Sequence, residues 1–238
     1  MKIIADYHTH TTYSHGKGSI EDNVKAAISK GLKTIGISDH GYKHLGFGVK
    51  YKDIPKMRKE IDELRKKYPQ IEILMGIEAN ILDDEGNIDV DKETLKYFDY
   101  IMAGYHFGSM PTRLIKGSIY HILNFMGPLK KGAIKYNTRA VVNAMKKHNI
   151  FIITHPGAKA MIDLKEVARV AKETDTALEI NSHHGHLTVD ELMLVKDTGV
   201  KFAIGSDAHA PEDVGKFTSA IERAREAKVN EEQIININ

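Results

Sequence analysis

A chain of 238 residues with 42% hydrophobic and 28% charged residues has room for one substantial α/β core and is short for two, and its formal net charge of +2 favours no class of partner. It contains no cysteine, which excludes disulfides and thiolate metal sites, so any metal must be held by His, Asp or Glu. No apolar run is long enough to span a bilayer and no basic-then-apolar leader opens the chain, so a cytoplasmic protein is expected.

Segments that read as strands alternate with segments that read as amphipathic helices. Lys2 to Ala5 is a short apolar, β-branched run and predicts a buried first strand. Ser19 is placed to cap a helix in which Ile20, Val24, Ala27 and Ile28 share a face, and Gly31 closes it. Leu32 to Ser38 predicts the second strand. Asp53 is placed to cap a helix carrying Ile54, Met57, Ile61 and Leu64 at spacings of three and four. Ile71 to Ala79 predicts the third strand, Asp91 to Phe98 a short helix, and Tyr100 to Gly104 the fourth strand. Residues 107 to 135 carry glycines, prolines and no clear period, which predicts a long loop. A helix over Asn137 to His148, a fifth strand over Ile150 to Thr154 and a helix opened by Asp163 follow. Ala177 to Ile180 predicts strand six, Val189 to Thr198 a helix, and Lys201 to Gly205 strand seven. Pro211 is expected to start the last helix, with Val214, Phe217, Ile221 and Ala224 inward. The alternation predicts a parallel sheet, and closure would give a seven-stranded barrel in one domain over residues 1–238.

The ionisable residues fall in a pattern on that scheme. His8 and His10 leave strand one two residues apart and so point the same way. His40 follows strand two, Glu78 ends strand three, His106 follows strand four, His155 follows strand five, and Asp207 and His209 follow strand seven. In a parallel barrel these strand ends gather at one rim, where such folds carry their active sites. Carboxylates and imidazoles crowded there need cations to balance and order them, which predicts a polynuclear metal site. Any one of them alone would read as a cap or an ordinary satisfied polar residue.

The same residues carry a family resemblance. Asp-x-His-x-His, Ser-Asp-His, Gly-Ile-Glu-Ala-Asn, Ala-Gly-x-His, Thr-His-Pro-Gly, Leu-Glu-Ile-Asn and Gly-Ser-Asp-x-His occur in that order. The chain resembles the PHP (polymerase and histidinol phosphatase) family of metal-dependent phosphoesterases, and among them the stand-alone bacterial phosphatases. The resemblance implies a distorted seven-stranded TIM-like barrel with three divalent metals, zinc first, with manganese or iron as alternatives. It implies His8, His10, Glu78 and Asp207 on one metal, and Glu78, His106 and His155 on a second, with Glu78 bridging. It implies His15, His40 and His209 on the third, where many members have Asp in place of His15. Two metals sharing a carboxylate can activate a water lying between them as hydroxide, so the expected reaction is hydrolysis of a phosphate ester, in the first place a monoester of a small metabolite.

From Tyr100 to Ile162 there is no Asp or Glu, while Lys and Arg recur. A basic stretch after His106 should attract an anionic substrate, with Arg113 and Lys116 as candidate contacts. Asp39 is expected to orient a liganding His, and Asn181 likewise. Glu179 reads as a buried paired carboxylate. His183, His184, His186 and His44 read as loop residues or as a proton donor or substrate contact, and His121 and His148 as structural. The rival readings are a phosphodiesterase or exonuclease, disfavoured by the lack of exposed aromatics for stacking bases, an amidohydrolase, and a metal-bound interaction domain. Composition and motifs set no oligomeric state.

Overall fold

The computed structural model describes residues 1–106, 108–109 and 130–238. Seven parallel strands pair in chain order: β1 (Ala5–Asp6), β2 (Thr34–Ile37), β3 (Glu72–Asn80), β4 (Tyr100–Gly104), β5 (Ile152–Ile153), β6 (Ala177–Asn181) and β7 (Lys201–Gly205). The circle closes between the exits of β1 and β7, where the His10 N–H donates to the Ala208 carbonyl at 2.8 Å and the Ala208 N–H to the His8 carbonyl at 3.2 Å. Asp6 ties the same seam, accepting from the Ser206 hydroxyl at 2.6 Å and the Gly215 N–H at 2.8 Å. This is the TIM-like barrel expected from the alternation of strand and helix patterns.

Helices cover the outside. Ser19 and Asp22 form a reciprocal capping box on α1 (Ile20–Ser29), and Asp163 caps α5 (Leu164–Glu173). α2 (Ile54–Lys67) buries Ile54, Met57, Ile61 and Leu64. Asp53 makes no cap bond, because its own backbone is already helical at the end of a 3-10 turn over Tyr51–Asp53. α3 (Lys92–Leu95), α6 (Val189–Val195) and α7 (Thr218–Glu226) complete the short helices. Pro211 opens only a 3-10 turn; Gly215 takes φ +71 and reverses the chain, so the last helix begins at Thr218. α4 (Lys130–Lys147) starts earlier than the periodicity predicts, inside the stretch read as loop. The closing residues also exceed expectation. Asn236 donates to the Ala5 and Ile204 carbonyls and so bridges β1 and β7.

Residues in register share a face, so Glu78, Met102, Ile152 and Ala177 all point inward. Below them the interior is packed by Tyr7, Tyr100 and Phe151, with edge-to-face rings 5.1–5.9 Å apart. Tyr100 fits only because Gly36 and Gly76 lie against its ring; a Cβ on either would overlap it. The Tyr100 hydroxyl donates to the Tyr7 carbonyl at 2.6 Å. Gly76→Ala is therefore expected to cost about 2–3 kcal/mol of stability through overpacking, read as a lower urea midpoint. An unchanged midpoint would contradict this packing.

Candidate metal centre

The strand exits deliver the ionisable side chains to one mouth. His8 and His10 come off β1, His40 off β2, His106 off β4, His155 off β5, and Asp207 and His209 off β7, while Glu78 stands inside β3. His155 and Asp207 take φ of +28 and +54, a region that side chains with a Cβ rarely occupy and that recurs at functional sites. His15 arrives from the loop after β1. That loop is held by Asp39, which accepts from the Thr11 N–H at 2.7 Å, the Thr11 hydroxyl at 2.6 Å and the Ser14 hydroxyl. Asp39 thus positions a backbone segment and does not touch an imidazole, contrary to the expectation from sequence.

Glu78 is fully buried at the centre. Its Oε1 lies 3.0 Å from Nε2 of both His106 and His155 and 3.4 Å from His8 Nε2; its Oε2 lies 2.8 Å from His40 Nδ1. Asp207 Oδ1 is 3.4 Å from His8 Nε2 and 3.3 Å from His10 Nε2. The imidazoles of His10, His15, His40 and His209 gather with ring centroids 4.4–5.4 Å apart. Ligand-type atoms within 4.8 Å of one another form the sets His8–His10–Asp207, His40–Glu78–His106, His10–His15–His40–His209 and His155–His184–Asp207. All the residues named from the resemblance are brought together. The partition differs: His10 also joins the third set, His40 also faces Glu78, and His184 enters beside His155.

These donors suit divalent ions. The buried nitrogens His10 Nδ1, His15 Nδ1 and His40 Nδ1 and the oxygen Glu78 Oε2 have no hydrogen-bond partner. Buried polar atoms are rarely left so. His40 Nδ1 and Glu78 Oε2 approach closely without hydrogen-bond geometry, and lone pairs converging on one space are what a cation requires. Burial and the neighbouring His40 push the His10 imidazole well below its ordinary range, and burial with His40 and His209 holds His15 down to about 4. Burial likewise lowers His106 to about 4. These rings are neutral at pH 7, the form that ligates. Burial alone would raise Glu78 and Asp207. The surrounding imidazoles, His106, His8 and His40 for Glu78 and His8 and His10 for Asp207, outweigh it and keep both carboxyls well below the usual range.

A further ring of residues sets which nitrogen faces inward. His8 Nδ1–H donates to Glu179 Oε1 at 2.7 Å, and Glu179 Oε2 accepts from the His155 N–H at 2.7 Å. His106 Nδ1–H donates to Asn80 Oδ1 at 2.9 Å, and Asn80 is fixed in turn by Asp89 through its N–H at 2.7 Å and its Nδ2 at 2.6 Å. Asn181 Nδ2 donates to Glu179 at 2.9 Å and Asp207 at 3.1 Å, orienting carboxylates where the sequence suggested a histidine. Asn80 closes the Gly-Ile-Glu-Ala-Asn motif, but the sequence assigned it no role, and Asp89 escaped the sequence reading altogether. His148 Nε2 bonds the Gly86 carbonyl at 3.1 Å, far from the mouth, as a structural residue.

Above the cluster lies a cavity of about 370 Å³, lined also by His44, Phe47, Lys159, His183 and His184. His44 and His184 thus belong to the mouth and are not remote loop residues. His186 instead faces Glu191 at 3.4 Å. Arg113, Lys116 and His121 lie outside the described residues.

A family model described as the PHP domain matches residues 6–183. A relative from Thermoanaerobacter sp. (strain X514) named "Probable phosphatase" is 33% identical over 253 residues, covering 99% of this chain and 91% of its own. Another of the same name from Shewanella sediminis is 32% identical over 251 residues, covering 99% of this chain and 90% of its own. Among solved structures, the histidinol phosphate phosphatase of Lactococcus lactis, complexed with zinc, L-histidinol and phosphate, superposes with a TM-score of 0.67. It is 18% identical, over 97% of this chain and 95% of that one, and at that identity it speaks for the fold. Among the described residues no helix is long and apolar enough to cross a membrane. With the domain match, the full-length relatives and the convergent rim on the page, the chain belongs to the PHP domain family and stands among its phosphatases.

Proposed function

We propose that this protein is a phosphomonoesterase acting on a small phosphorylated metabolite at a trinuclear centre of divalent ions, zinc first, with manganese or iron as alternatives. In this reading His8, His10, Glu78 and Asp207 hold one ion, Glu78, His106 and His155 a second, and His15, His40 and His209 the third. The observation that carries it is the convergence of imidazole nitrogens and carboxylate oxygens within 4.8 Å of one another, among them residues whose buried His10 Nδ1, His15 Nδ1, His40 Nδ1 and Glu78 Oε2 have no hydrogen-bond partner. Bound there, divalent ions supply Lewis acidity toward phosphoryl oxygens and acidify an attacking water.

The chain's own residues do the rest. Glu179 and Asn80 hold His8 and His106 in the tautomer that turns Nε2 inward. Asn181 fixes the Asp207 carboxylate. The cavity admits a small ester, and the Lys159 ammonium favours an anion there. Arg113 and Lys116 remain proposed substrate contacts on charge alone.

Protein stripped by a strong chelator is expected to lose phosphate release, and added Zn²⁺ or Mn²⁺ to restore it. The test is phosphate release by the reloaded protein over a panel of monoesters, diesters and a single-stranded oligonucleotide. Monoesters should be turned over fastest; preferential cleavage of the oligonucleotide would overturn the assignment to small metabolites.

A further inference from the structure

The cavity over the ligands is unbalanced in charge. Its lining contains carboxylates only at Glu78 and Asp207, both committed to the cluster below. The other polar groups lining it are imidazoles and the ammonium of Lys159. Lys159 is half-buried, on the loop two residues beyond Gly157 of the Thr-His-Pro-Gly motif, and lines the same cavity as His184. Among the described residues it makes no ion pair, although lysines elsewhere do, as Lys201 with Asp175 at 2.6 Å. The segment 110–129 and residue 107 contain no Asp or Glu at all, so whatever their course they add no negative charge. Once the cluster's own carboxylates are neutralised by cations, nothing acidic lines this mouth to receive an ammonium group. An unpaired, partly desolvated lysine there is poised for an anion.

Resting on the phosphatase reading, we infer that the substrate is a phosphate monoester bearing a second anionic group, carboxylate or phosphate, received by Lys159 at the cavity wall. Among the described residues, an amine-bearing ester, such as one yielding the L-histidinol held by the Lactococcus protein, meets Lys159, imidazoles and the Phe47 ring here, and no carboxylate outside the cluster. Lys159 is then a specificity-determining residue that touches the part of the substrate left behind when phosphate departs.

The test uses three-carbon phosphate monoesters differing only in the far end: carboxylate, a second phosphate, hydroxyl or ammonium. With metal-loaded protein, kcat/KM should be at least about 10-fold higher for an anionic end than for hydroxyl, and lowest for ammonium. The carboxylate and phosphate arms tell which anion is preferred. Lys159→Met should collapse that selectivity to within about 2-fold, and Lys159→Glu should invert it toward ammonium. Calorimetry provides a readout without turnover: 3-phosphonopropanoate should bind at least about 10-fold more tightly than propylphosphonate, and Lys159→Met should erase the difference. Equal cleavage of all the esters, or selectivity that survives Lys159→Met, overturns the inference and leaves the phosphatase reading intact. Cleavage of none overturns both.

Discussion

Glu78→Gln is expected to abolish turnover, lowering kcat by about three orders of magnitude or more, while the circular dichroism of the barrel is retained. The substitution keeps the volume and hydrogen-bonding size of the side chain, so it removes charge and little else. Among the described residues, Glu78 is the one side chain that approaches His8, His40, His106 and His155 together. A neutral amide there also presents an N–H₂ toward nitrogens whose lone pairs point inward, and so cannot serve a cation shared between sites. The variant should bind fewer ions per chain by elemental analysis. Wild-type activity in a Glu78→Gln protein of verified sequence would remove Glu78 from the centre of the chemistry.

The second large effect is expected at Glu179, which touches no substrate-facing surface. It is fully buried, with one oxygen on His8 Nδ1 and the other on the His155 N–H. Its loss frees His8 to rotate or to change tautomer, and it releases the backbone that holds His155 in its left-handed turn. Outer-shell carboxylates of this kind typically contribute about 10–100-fold to metal affinity. Glu179→Gln should weaken binding in that range by competition with a fluorescent chelator. The lost activity should return at high metal concentration, which separates a positioning role from a catalytic one. Gly205 supports the same geometry, since a Cβ there would overlap the Glu179 carboxylate. Affinity unchanged in Glu179→Gln would show that the His8 tautomer needs no such partner.

The barrel and the convergence of its rim were legible because both depend on local pattern. Strand exits are marked by a β-branched run ending in Gly, Asp or His, and parallel topology carries every such exit to the same end. The outer ring was harder to read. Glu179 and Asn181 lie two apart on β6, so strand alternation alone already puts both on the inner face with Glu78. That signal was present, although the sequence did not say which groups the two would hold. The Asp89–Asn80–His106 chain was not legible, because it depends on the turn after β3 folding back on Asn80 across nine residues. Asp39 misled for a similar reason: adjacency to His40 in sequence suggested contact, whereas successive residues of an extended chain point apart. The early start of α4 was hidden by Gly132 and by a buried face rich in alanine, which gives weak periodicity. The closing residues around Ile234 and Asn236 are too short to show a period, and only the seam between β1 and β7 explains their burial.

The most direct measurement is anomalous diffraction, at the zinc, manganese and iron edges, from crystals of protein purified without chelators. The account predicts three peaks inside the ring formed by His8, His15, Glu78, His155 and Asp207, with Glu78 contacting two of them. Ions bound only at the surface, or none in the ring after soaking in excess metal, would contradict it.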